Sequence, residues 1–103
     1  MKVLTAAPEP RADRPATMLL HDEANSRIVA FRLLPGQVVP AHRSDSTVTV
    51  HVVEGEGIFL GEDGEAVLRT GQAAVFAPGE MHAIEAGVDP LHFIAIITPR
   101  PGG

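Results

Sequence analysis

The chain has 103 residues, a formal charge of −5, and 45% apolar against 20% charged residues, which describes one globular domain with a single core. Its one Lys and seven Arg are scattered, and Trp and Tyr are absent, so a nucleic-acid binder is excluded. No Cys is present, which removes disulfide scaffolds, zinc fingers and thiol nucleophiles. No stretch nears the ~20 apolar residues of a membrane span, and the N-terminus lacks a signal-peptide core; a cytoplasmic protein with no membrane partner is expected.

Residues 1–16 carry Pro8, Pro10 and Pro15 without periodicity and read as a flexible tail or an arm laid on a neighbour. Residues 17–21 (TMLLH) form a short strand, 22–26 a turn, and 27–34 (RIVAFRLL) a second strand with two fairly apolar faces. Pro35-Gly36 breaks it, and a Pro/Gly-interrupted entry leads to His42. Residues 47–53 (TVTVHVV) hold six β-branched side chains out of seven, so this is the surest strand. Alternation puts Val48, Val50 and Val52 on a dry face and Thr47, Thr49, His51 and Val53 on the other.

Residues 54–57 (EGEG) then read as a turn, 58–60 as a strand, 61–64 (GEDG) as a hairpin loop and 65–69 as the returning strand. Further on, 72–76 (QAAVF) is a short strand, 77–80 a turn, 81–86 (MHAIEA) a strand, 87–90 a loop and 91–97 (LHFIAII) the last strand. No segment carries a helical period over ten residues or more. About eight short strands with frequent turn signals indicate an all-β sandwich or barrel in one domain over 17–99, with a tail at 100–103. Propensity alone does not separate a jelly roll from an immunoglobulin-like sandwich.

Two segments do. Five residues separate Gly36 from His42, and the strand that follows ends in VVEGEG, with Gly55 inside it. Later, Gly71 is followed by QAAVF, Ala77-Pro78-Gly79, two more residues and His82. This pattern resembles the two motifs of the cupin family. The resemblance covers Leu33 to about Ile97, with Ala77 in place of the second motif's proline. It implies a double-stranded β-helix (jelly-roll) barrel, commonly dimeric, with a pocket inside.

Metal-binding cupins hold their ion with two His and an acidic residue from the first motif and one His from the second. By resemblance His42 and His82 match the first and last of these ligands, whereas Ser44 and Val48 stand at the other two positions, and Ala86 replaces the closing Asn. A divalent ion (Zn, Fe, Ni or Mn) normally takes three or four protein ligands. The candidates for a third are His51, which needs a bulge to turn inward, and His92 on the last strand, where both faces are apolar. Glu80 belongs to an exposed turn, Glu85 flanks His82, and Arg43 should by alternation point out of the barrel.

The expected pocket is formed by His42, Ser44, Val48, Val50, Phe76, His82, Ile84 and Phe93, mostly apolar and suited to a small uncharged or partly aromatic molecule. Three functions are compatible with it. One is a small-molecule binder or sensor, at most a weak metal binder. A second is a metal-dependent oxygenase or isomerase using His42, His82 and a third ligand. The third, a metal-free enzyme with a His general base, lacks the Tyr acid such sites use. A homodimer burying the second face of residues 27–34 and Val53 is also expected.

Overall fold

The structure, a computed structural model, describes residues 1–101. Seven antiparallel strands and no helix make it up: β1 (Ala16–Glu23), β2 (Ser26–Leu33), β3 (Val38–His42), β4 (Thr47–Gly61), β5 (Gly64–Arg69), β6 (Ala73–Phe76) and β7 (His82–Thr98). The strand order is β1-β2-β7-β4-β5, with β3 on β7 and β6 on β4. No helix long and apolar enough to cross a membrane occurs among these residues.

The two long strands explain the barrel. The first half of β4 pairs with the second half of β7, and the second half of β4 with the first half of β7. Each half gathers its own flanks: β2 and β6 at one end, β3 and β5 at the other. A strand this long cannot stay in one twisted sheet, so it bends and serves two facing sheets. The bend lies where the β4–β7 register shifts, between Val52 and Glu54 and again between Gly55 and Gly57. Both sheets turn their inner faces onto one core, with Leu33, Val50, Val52, Leu91 and Phe93 its most deeply buried side chains.

Three expectations are corrected here. Residues 54–57 are not a turn between strands but a bulged corner within β4. Residues 87–90 likewise belong to β7, as an exposed excursion opposite Glu56 between the Gly55–Leu91 and Gly57–Ala86 pairs. Glycines and a proline read as breaks locally, yet at a corner they supply the bulge that lets pairing continue. The entry to His42 contains β3, a strand that Pro40 had hidden. It borders only β7, and a proline is tolerated on such an edge because no ladder hydrogen bond is lost.

The N-terminal segment lies against its own chain: Pro8 is buried, and Gln37 Nε2 donates to the Arg11 carbonyl at 2.7 Å. Ala16, expected in the tail, is buried as the first residue of β1. Beyond Thr98, Ser46 Oγ donates to the Pro99 carbonyl at 2.7 Å and Arg100 pairs with Asp22. Of the expected tail at 100–103, Gly102 and Gly103 lie outside the described residues. The exposed apolar side chains include Met18 and Leu19 on edge strand β1 and Val75 on β6. The second face of β2 is half-buried to buried within the single chain.

Candidate functional site

His42 closes β3 and His82 opens β7, and the antiparallel register places them directly opposite each other. Their rings lie 4.1 Å apart, centroid to centroid, tilted by 63°. The loops behind them are tied together where the Gly79 N–H donates to the Ser44 carbonyl at 2.7 Å. Two side chains far apart along the chain thus end as one pair of imidazoles.

Each ring is anchored by its own strand end. His42 Nδ1 lies 2.9 Å from the Pro40 carbonyl and His82 Nδ1 3.2 Å from the Glu80 carbonyl. A carbonyl only accepts, so both bonds require Nδ1–H, and in the neutral rings each Nε2 keeps its lone pair. His42 is exposed at the mouth, whereas His82 is 3% exposed and stacks on Phe76 at 4.8 Å.

Burial is the main reason the His82 imidazole titrates below its ordinary value near 6.5. The Glu80 carbonyl opposes the shift, the neighbouring His42 adds to it, and the Glu80 carboxylate opposes it. His92 is lowered too, first by burial, then by Arg32, against Glu54. A lowered imidazole pKa means that the unfolded chain binds more protons than the native one below pH ~6.5, so acid favours unfolding. Urea midpoints measured from pH 7.5 downward should hold until about 6.5 and then fall, and a His92→Gln variant should flatten the slope. A midpoint that rises on acidification through this window would contradict the assignment.

The two rings open onto a cavity of about 260 Å³ between the sheets, lined also by Ser44, Val48, Val50, Ile84 and Phe93. Phe76, expected on the lining, stands behind His82 instead and supports its ring. Phe31, Val39, Ala95, Ile97, Pro101 and Arg43 also line the cavity. Phe31 stacks on Phe93 at 4.7 Å, and Ala95 and Ile97 repeat the parity of Phe93, so the last strand's alternation carries that signal. Nothing in the sequence around Pro101 signals its place there.

Arg43 does not point outward as alternation predicts. It lies past the end of β3, where alternation no longer applies, and it folds across the mouth to pair with Glu62 and donate to the Gly79 carbonyl at 2.7 Å. Glu80 caps the turn before His82 with both oxygens, accepting from Ala77 N at 2.9 Å and Glu62 N at 3.2 Å.

Neither candidate third ligand reaches this cavity. His51 is exposed on the outer face of β4, opposite Ala73 and Ile94, because no bulge interrupts residues 47–52. His92 has the parity opposite to Phe93 and lies on the outer face, beside Arg32 and Glu54. Among the described residues no group of three His, Cys, Asp or Glu side chains converges. The pocket therefore offers two nitrogen donors where a resident divalent ion takes three or four, and Val48 adds only hydrocarbon.

Comparison with known proteins agrees with this fold. The cupin domain family matches residues 29–97. The TT1209 protein of Thermus thermophilus superposes with a TM-score of 0.90 at 24% identity, over 98% of this chain and all (100%) of that one. An RmlC-like cupin from Desulfovibrio desulfuricans gives 0.85 at 29% identity, over 96% of this chain and 97% of that one. A predicted oxalate decarboxylase from Thermotoga maritima gives 0.81 at 21% identity, over 94% and 98%. No curated protein matches the sequence. With residues 29–97 matched by the family model and the all-β barrel in agreement, this protein belongs to the cupin family.

Proposed function

We propose that this cupin binds a small neutral molecule with an apolar body and one hydrogen-bond donor, without a resident metal. The observation that carries the reading is the anchoring of both Nδ1 atoms on backbone carbonyls, which leaves two Nε2 lone pairs beside a cavity that is mostly apolar apart from Ser44 and Arg43. An unpaired lone pair in such surroundings is best satisfied by an O–H or N–H group. A cavity of about 260 Å³ is below the range typical of drug-sized ligands, so one ring is the natural size, and Phe31 and Phe93 are among its walls.

Phenol and its methyl ether anisole test this directly, since only phenol donates. Titration should show phenol binding about tenfold more tightly than anisole, the equivalent of one hydrogen bond in an apolar site. His82→Ala and His42→Ala should each shrink that preference. Equal affinity for the two probes in the wild-type protein would sink the proposal.

A second reading is favoured by the same anchoring, because metal-ligating imidazoles are commonly oriented by a carbonyl on the other ring nitrogen. In it a substrate completes the coordination of an ion held by His42 and His82, which would supply Lewis-acid chemistry. Elemental analysis of protein purified without chelator decides between them. Stoichiometric metal, lost in both alanine variants, would replace the first reading with the second.

A further inference from the structure

On the outer face, away from the His42–His82 pocket, Arg32 of β2, His92 of β7 and Glu54 of β4 form one row across three neighbouring strands. They line a separate, partly open cavity of about 200 Å³, bordered also by Pro10 of the N-terminal segment and by Leu34, Pro90 and Leu91. Gln37 holds that segment in place, accepting from Leu34 N at 2.9 Å and donating to the Arg11 carbonyl at 2.7 Å.

The row is chemically unfinished. His92 is 6% exposed, and its Nε2 is buried with no hydrogen-bond partner, a condition native proteins rarely leave uncorrected. Arg32 and Glu54 make no ion pair among the described residues, with each other or with any other group. Adjacent strands lie ~4.8 Å apart, so the two opposite charges start from backbones about 10 Å apart with the imidazole between them. Burial and then Arg32 lower that imidazole's pKa, against Glu54, and its neutral form brings one N–H and one lone pair.

A lone anion would meet Arg32 but also the Glu54 carboxylate, and a lone cation the reverse. A molecule carrying both charges within a few bonds satisfies each side. We propose that this cavity is a second binding site, for a small zwitterion of the α-amino-acid type. Arg32 takes its carboxylate, Glu54 its ammonium group, and His92 a hydrogen bond between them. At roughly 30 Å³ per water, 200 Å³ is room enough for a free amino acid with a short side chain.

The test is a titration of ¹⁵N-labelled protein with L-alanine, using acetate and methylammonium as single-charge probes. L-Alanine should shift the amides of Arg32, Glu54 and His92 saturably. Each single-charge probe should bind about tenfold more weakly or worse, as should L-alanine to Arg32→Gln and to Glu54→Gln. Both substitutions replace side chains at least partly exposed, and an unchanged backbone spectrum verifies that the fold is kept. His82→Ala should leave these shifts intact, and Arg32→Gln should leave the phenol preference of the barrel intact, so failure here is distinct from failure there. No saturable shift, binding of acetate as strong as that of L-alanine, or affinity unchanged in the two variants would overturn the proposal. So would a dimer that dissociates in Arg32→Gln, since a second copy would then be what covers the cavity.

Discussion

Replacing Gly55 with Ala should cost about 3 kcal/mol or more, a large share of the 5–15 kcal/mol by which a small domain is stable. Two effects add. Gly55 has φ +92°, where a side chain costs about 1–3 kcal/mol of backbone strain. A Cβ at this position would also overlap the Pro90 carbonyl oxygen, a backbone atom with nowhere to move because Gly55 and Leu91 are paired. Gly79→Ala is the control: its φ of +80° brings similar strain, but a Cβ there would meet nothing within 4 Å. Urea unfolding should therefore show Gly79→Ala losing ~1 kcal/mol and Gly55→Ala several times as much. Equal losses would mean that β4 and β7 do not approach each other closely at this corner.

The second large effect is expected at Phe93. It has no exposure, stacks on Phe31 at 4.7 Å with rings 6° from parallel, and meets the edge of Phe59 at 5.6 Å. Phe93→Ala removes a side chain held from both sheets, and the close-paired strands around it can relax only partly. A loss of about 3–5 kcal/mol follows from the lost transfer energy and the void left behind. Phe93→Leu keeps most of the volume and should lose about 1.5 kcal/mol or less. Because Phe93 also walls the barrel cavity, the leucine variant should fold and yet bind phenol more weakly, which separates the core role from the ligand role. A Phe93→Ala protein no less stable than Val75→Ala, a change at a 65% exposed position, would contradict this account of the core.

The strand over residues 47–53 is legible because β-branched alternation is a local property: Val48, Val50 and Val52 are buried and His51 is exposed. The hairpin of β4 and β5 is equally local, turning at Glu62 and Asp63 as glycine placement requires. Spacing within two motifs points to His42 and His82, although nothing in either segment alone says that they meet. What stays hidden depends on partners distant in sequence. Pro40 looks like a break and is an edge residue. The glycines around position 55 look like a turn and are a corner. Arg43 takes its expected direction from an alternation that has already ended. Phe76 has the right chemistry for the pocket but faces the back of His82.

By itself the sequence determined an all-β chain, the strand carrying Val48, Val50 and Val52, and, through the motif spacing, the barrel that holds the two histidines. Side-chain stiffness and period-two alternation act over a few residues, so composition and order express them fully. Only the tertiary structure decided that β4 and β7 continue through their glycine corners, which way His51 and His92 face, and that the imidazoles stand 4.1 Å apart. Those outcomes depend on strand register between segments tens of residues apart, where a one-residue shift exchanges the inside of the barrel for the outside.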